Sequence, residues 1–109
     1  MMLKNIMNLE ACKPLYVSDP DMKVSKVFCC DLLSVAMSKA SEGCAWVTVM
    51  GNRNALAVAS LADVACIVLA EGATMDEACL EQAKKVGISI FQTDLPVFDI
   101  GLLIHNHIE

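Results

Sequence analysis

Residues 46–70, WVTVMGNRNALAVASLADVACIVLA, decide the fold of this chain. The first five residues are apolar or β-branched, as is typical of a buried strand. Gly51 opens a turn, and Asn54 is a good N-cap for a helix over residues 55–63. A second apolar run follows over residues 66–70. Two buried strands joined by a helix predict a parallel pair with a right-handed crossover.

The same alternation continues on both sides of this unit. Downstream, Thr74 and Glu77 have the spacing of a capping box, for a helix that reaches residue 86 and stops at Gly87. A strand over residues 88–92 and a last helix that starts within residues 93–96 follow. Upstream, an extended segment over residues 24–30 leads into a helix that runs to about residue 40, with Asp31 as its predicted cap and residues 42–43 as its stop signal.

A short helix over residues 2–8 and a brief strand over residues 15–17 complete the pattern. Residues 1–109 are therefore predicted to form a single α/β domain of three-layer type, with a mainly parallel sheet and crossover helices.

Charge and hydropathy exclude several classes of protein. The chain of 109 residues carries a formal net charge of −5, which leaves no cationic excess for binding nucleic-acid phosphates or an anionic membrane surface. No apolar run approaches the roughly 20 residues of a spanning helix. No signal peptide is recognised at the N-terminus, so a cytoplasmic protein is expected.

The apolar content of 56% exceeds the roughly 45–50% of an average domain. Small domains bury only about 60–70% of the surface of their unfolded chain, so the excess predicts a surface that a partner covers. A homodimer is therefore expected. Its predicted interface comprises the helix over residues 55–62 and the extended segment over residues 24–30, with Val24, Val27, Phe28, Leu56 and Val58 as candidate residues.

The six cysteines include no Cys-x-x-Cys pair and no partner histidine at zinc-finger spacing. Most stand inside apolar runs, so they are interpreted as buried thiols in a reducing environment. His105 and His107 are two residues apart and do not share a helix face. No metal ligand and no cofactor is predicted. A thiol or metal role, for instance in the maturation of an iron–sulfur enzyme, stays open as one hypothesis.

The ends of the predicted strands are the places where a ligand is expected, because open α/β sheets bind ligands beyond the carboxyl ends of their strands. Arg53 precedes a helix N-terminus, where backbone amides and the helix dipole attract an anion. Candidate ligand-binding residues are Asn52, Arg53, Asn54, Thr93 and Asp94, for a nucleotide or a phosphorylated metabolite. Capping of helices is the alternative role of the same side chains.

Neither a phosphate-binding Gly-x-x-x-x-Gly-Lys-Ser/Thr loop nor a Gly-x-Gly-x-x-Gly stretch is present. No nucleophile stands beside a base, so no catalytic residue is predicted and the chain is not expected to be an enzyme.

Five groups of residues in chain order carry a resemblance to a known family. They are Asp31-Leu32-Leu33-Ser34 with Met37, Glu42-Gly43 with Trp46-Val47-Thr48, Ala57-Val58-Ala59-Ser60-Leu61 with Asp63, Glu71-Gly72, and Thr93-Asp94 with Phe98. Over nearly the whole chain this pattern resembles the DRTGG domain. The stretch that names the family corresponds to residues 21–27. Asp21 is kept there and Ser25 stands for the threonine, whereas Met22, Lys26 and Val27 replace the arginine and the two glycines.

The resemblance implies a regulatory or dimer-forming domain. DRTGG domains accompany phosphotransacetylases and CBS-containing pyrophosphatases and resemble the N-terminal, non-kinase part of HPr kinase/phosphorylase. Stand-alone members near iron-hydrogenase genes of anaerobes imply a link to hydrogenase or energy metabolism. A non-catalytic regulatory homodimer is therefore the first expectation, and a small-ligand sensor is the alternative.

Overall fold

A computed structural model describes residues 1–108 of the chain. Its five helices and five strands follow the order α1 (Leu3–Met7), β1 (Lys13–Tyr16), β2 (Val27–Cys29), α2 (Leu33–Lys39), β3 (Ala45–Thr48), α3 (Arg53–Ala62), β4 (Cys66–Leu69), α4 (Glu77–Val86), β5 (Ser89–Gln92) and α5 (Val97–His105). The prediction of an α/β fold with a mainly parallel sheet is confirmed.

The five strands form one sheet in the order β1-β5-β4-β3-β2. Strands β2 to β5 are parallel neighbours, whereas β1 runs antiparallel to β5 at one edge. Every residue of β3 and β4 is buried. Strands covered on both faces of a sheet need continuous apolar runs, and this explains why the sequence of these two strands does not alternate.

Helices cover both faces of the sheet. On one face α2, α3 and α4 pack over Trp46, Ile67 and Ile90. On the other face α1 and α5 pack over Val47 and Val68, together with Phe91 of β5. The sheet is therefore the middle layer of three, with a core on each side.

Three predicted helix starts are wrong. The N-cap of α3 is Asn52 rather than Asn54, and its Oδ1 accepts a hydrogen bond from the Ala55 N–H at 2.9 Å. The N-cap of α4 is Asp76 rather than Thr74. The N-cap of α2 is Leu32 rather than Asp31, and no side chain caps that helix.

Other boundaries differ by a few residues. The extended segment expected over residues 24–30 forms a strand only at Val27–Cys29, and the strand expected over residues 15–17 lies at Lys13–Tyr16. Helix α2 ends at Lys39, within one residue of the expected end near residue 40, because Ala40 already has extended backbone angles.

The candidate interface residues fall into two groups. Val24, Leu56 and Val58 are only 2–3% exposed. The chain's own elements cover them, so these three side chains offer no surface to a partner. Val27 and Phe28 are half-buried on β2 at the sheet edge. Helix α3 is not covered on every side, since its Leu61 is 75% exposed.

Within residues 1–108, no helix combines the length and the apolar character that a bilayer crossing requires.

Candidate functional site

Three loops meet at the carboxyl edge of the sheet. Because β3, β4 and β5 are parallel, the segments over residues 49–52, 70–76 and 93–96 all follow strands that end on that side. This is the part of an α/β fold that most often binds ligands.

The middle loop, residues 70–76, is packed tightly against both neighbours. A Cβ atom on Gly51 would lie only 2.3 Å from the carbonyl oxygen of Thr74, so the two backbones touch. On the other side the Gly72 N–H donates to the Thr93 carbonyl at 3.0 Å, and the side-chain Nε2 of Gln92 donates to the Ala73 carbonyl at 2.9 Å. The middle loop therefore stands between the two outer loops.

This packing divides the predicted ligand site into two parts. Arg53 lines a groove between α3 and α4. Thr93 and Asp94 line a separate depression, together with Glu10 and Lys13 from the N-terminal part of the chain. The structure does not bring the five candidate residues into one site.

Of the other candidate side chains, two have local roles and two are exposed, Asn54 in the first turn of α3 and Asp94 in the loop after β5. The Asn52 side chain is occupied as the N-cap of α3. Thr93 is buried, and its hydroxyl oxygen accepts from the Leu95 N–H at 3.1 Å. Asn54 and Asp94 are exposed. Capping and loop closure thus account for Asn52 and Thr93.

Asp31 has a role at this edge that the sequence interpretation missed. Its Oδ1 accepts from the Thr48 hydroxyl at 2.8 Å and from the Val49 N–H at 2.9 Å. The carboxylate therefore ties the end of β2 to the end of β3. An aspartate before an apolar helical segment has the same local signature as an N-cap, so only the pairing of β2 with β3 could have revealed this role.

The α3–α4 groove is the larger of the two depressions, at about 460 Å³. Its walls are mostly apolar, and Arg53, Ser60 and Gln82 supply its polar groups. Leu61 and Val86 expose apolar surface along it. A guanidinium beside apolar walls can bind an anionic group attached to a flat or apolar moiety.

Arg53 lies close to Asp76, the N-cap of α4. The Cys79 N–H donates to the Asp76 carboxylate at 2.8 Å and lowers the pKa of that carboxyl, with contributions from the Cys79 thiol and the Arg53 guanidinium. Asp76 therefore stays ionised and partly balances the charge of Arg53. An incoming anion would compete with this carboxylate for the guanidinium.

The buried cysteines Cys12, Cys44 and Cys66 are protonated thiols in packed surroundings. Burial raises the pKa of Cys12 to about 11 and also raises the pKa values of Cys44 and Cys66. A thiol whose pKa lies far above neutrality supplies little thiolate for metal binding or catalysis. Within residues 1–108, no three Cys, His, Asp or Glu side chains are grouped so that they could hold a metal ion.

Comparison with known proteins adds a relationship of fold. No protein-family model matches the chain, and no curated protein matches it. A solved structure does match, with a TM-score of 0.77 and 19% sequence identity over 98% of this chain. It is the CBS and DRTGG domain region of the regulatory part of a Clostridium perfringens pyrophosphatase, in complex with its activator diadenosine tetraphosphate. The chain spans about half (47%) of that structure and shares the fold of that part.

Proposed function

We propose that this chain is a non-catalytic regulatory domain of the DRTGG type that acts as a homodimer. The observation that carries the proposal is the shared fold over 98% of the chain with a region that regulates a pyrophosphatase. The carboxyl edge of the sheet supports it, because Asp31, Asn52 and Asp76 there bind backbone N–H groups of the chain itself. Side chains engaged in this way stabilise loops rather than react with a substrate.

The surface supports self-association. Eight large apolar side chains among residues 1–108 are exposed, and for Leu61 and Phe98 the exposed fraction exceeds 70%. The remaining six are Met7, Leu32, Met37, Val49, Val86 and Leu102. Single exposed apolar residues are normal, but this number on a chain of 109 residues favours a surface that is covered in the working state.

Sedimentation equilibrium between 1 and 200 μM, about the range in which weak and stable dimers separate, tests the homodimer. We expect a species of twice the 11.7 kDa mass of one chain. A single species of one-chain mass at every concentration would contradict the homodimer. Turnover of a phosphoanhydride or phosphoester substrate by the pure protein would contradict the non-catalytic role.

A second candidate function is the sensing of a nucleotide in the α3–α4 groove. Two observations favour it: Arg53 lines a mostly apolar groove, and the pyrophosphatase region, of which 47% matches this chain in fold, was solved with a nucleotide activator. Adenine nucleotides combine a flat ring with phosphates, and this combination matches apolar walls beside a guanidinium.

Thermal-shift and calorimetric titrations with AMP, ATP and diadenosine tetraphosphate test this candidate. Binding to the folded state should raise the melting temperature by mass action. Arg53→Ala should abolish the shift, whereas Lys13→Ala, which alters the separate depression beside Thr93 and Asp94, should keep it. The reverse result would assign the ligand to that depression, and no shift at millimolar nucleotide would contradict nucleotide sensing.

A further inference from the structure

The two edges of the sheet differ in how well they are protected against pairing with another strand. At the β1 edge stand Lys13 and Pro14, and the register with β5 shifts between Pro14 and Tyr16. A lysine, a proline without an N–H and an irregular register are the features that blunt edge strands. The β2 edge, Val27–Cys29, has none of the three and pairs with β3 in regular register.

The outer side of β2 presents unpaired backbone groups. Ala45 N–H donates to the Lys26 carbonyl at 2.8 Å and Cys30 N–H donates to the Val47 carbonyl at 3.2 Å. Since alternate residues of a parallel strand bond to the same neighbour, Val27 and Cys29 direct their N–H and C=O groups away from β3. No hydrogen bond within residues 1–108 uses these four groups.

Helix α5 places apolar side chains beside this open edge. It packs on β2 at Gly101, where an added Cβ would lie 2.8 Å from the Cys29 sulfur. At 3.6 residues per turn, the buried Ile104 and Ile100 are rotated from Gly101 by about 60° and 100° in one direction, and Phe98 and Leu102 by about the same angles in the other. The isoleucines join the core, so Phe98 and Leu102 project past the edge strand.

We infer that two copies of this chain associate by antiparallel pairing of their β2 strands about a two-fold axis at Phe28, with Phe98 and Leu102 of the two α5 helices packed against each other. We define this β2 edge surface by the outward groups of Val27 and Cys29 and by those two side chains. The inference rests on the proposed homodimer and names its surface.

The symmetry of the β2 edge surface indicates that its partner is a second copy of this chain. In the antiparallel arrangement Val27 lies opposite Cys29 of the second copy, so the outward donors and acceptors of one strand meet those of the other. A two-fold axis perpendicular to the sheet keeps both α5 helices on the same face. The Phe98 and Leu102 side chains of both copies then lie between the two α5 helices, in an interface that the chain can form with a second copy.

The charges next to β2 favour the same direction. Lys26 precedes the strand and Asp31 follows it, both are exposed, and Lys26 forms no ion pair within residues 1–108. Antiparallel pairing brings the lysine end of one strand near the aspartate end of the other. Parallel pairing would bring the two lysines together, at an electrostatic cost.

Sedimentation equilibrium of Phe98→Asp and Leu102→Asp tests the surface, with Leu61→Asp as the matched control. All three side chains are exposed helix residues, so folding should be retained, as circular dichroism can verify. We expect Phe98→Asp and Leu102→Asp to raise the dimer dissociation constant by about tenfold or more, and Leu61→Asp to leave it unchanged. If Leu61→Asp were the only one of the three variants to dissociate the dimer, the β2 edge surface would not be the interface, but the proposed homodimer would remain.

Amide hydrogen exchange followed by NMR gives a second, independent test. At a concentration where dimers form, the amides of Val27 and Cys29 should exchange at least about tenfold more slowly than in dilute protein, while Phe28 and Cys30, already bonded to β3, change little. Protection that does not depend on concentration would overturn the pairing. A wild-type protein that is monomeric throughout contradicts the proposed homodimer itself.

Discussion

At the scale of single residues, close contacts determine which positions have room for a side chain, and the apolar pattern of the sequence does not show these contacts. Gly51 has no room for a side chain, because the Thr74 carbonyl lies where its Cβ would stand. Gly87 is the opposite case: its φ of +75° favours glycine, yet nothing lies within 4 Å of an added Cβ. The sequence shows two glycines next to helices and does not reveal which of them is confined.

These two glycines are expected to respond differently to alanine. Gly51→Ala should cost about 2–3 kcal/mol of unfolding free energy, because a backbone carbonyl must move. Gly87→Ala should cost only about 1–2 kcal/mol, the penalty of a left-handed residue with a Cβ. Urea unfolding of both variants measures the difference. An equal or smaller loss for Gly51→Ala would contradict the close approach of the two loops.

Asp76 predicts a pH dependence of stability. Its pKa in the folded protein lies below the ordinary value of 3.8, chiefly because the Cys79 N–H donates to it. A lowered folded-state pKa contributes stability above the unfolded-state pKa, and that stability is lost as the pH falls through the folded-state pKa. Urea midpoints between pH 6 and pH 2, about the range over which aspartates titrate, should fall more steeply for wild type than for Asp76→Asn. Parallel curves would exclude this contribution.

At the scale of elements, the three central strands were predictable to within one or two residues and the helix starts were not. The runs expected over residues 46–50, 66–70 and 88–92 correspond to Ala45–Thr48, Cys66–Leu69 and Ser89–Gln92. Buried strands have an unambiguous apolar signature. Two cap-forming residues that are separated by a single residue do not, because Asn52 and Asn54 have the same local chemistry.

The N-cap of α3 gives a matched pair of substitutions. Asn52→Ala should cost about 1 kcal/mol, since it removes the acceptor for the Ala55 N–H. Asn54→Ala should be neutral or slightly stabilising, because Asn54 is an exposed residue of the first turn and alanine has the higher helix propensity. Thermal unfolding of both variants decides between the two caps. A larger loss of stability for Asn54→Ala would show that Asn54 is the N-cap, as expected from the sequence.

At the scale of the whole molecule, the meeting of the three strand-end loops at one edge of the sheet was predictable, but the shape of the surface that they form was not. The rule for parallel sheets places the loops after β3, β4 and β5 at one edge, and these three loops do meet there. Their separation into two depressions depends on the packing of residues 70–76 against both neighbours. The antiparallel position of β1 was equally beyond the sequence, because a short strand does not specify its partner.

The distribution of the thiols over the molecule predicts an order of chemical labelling. In dilute native protein, iodoacetamide should modify the exposed Cys29 first and the half-buried Cys30 second. Cys12, Cys44, Cys66 and Cys79 are buried, and burial raises the pKa of each, so they should react only after unfolding in denaturant. Peptide mass spectrometry gives the order. Early labelling of Cys66 would show that its core opens in the native state.

Pro14 and the irregular register of β1 hinder the pairing of a further molecule at the second edge of the sheet. At the β1 edge Pro14 has no N–H to donate to an added strand, and the irregular register twists the edge locally. Repeated edge-to-edge pairing of molecules into fibres is therefore disfavoured. Concentrated solutions of the protein should therefore contain small closed particles instead of a growing polymer.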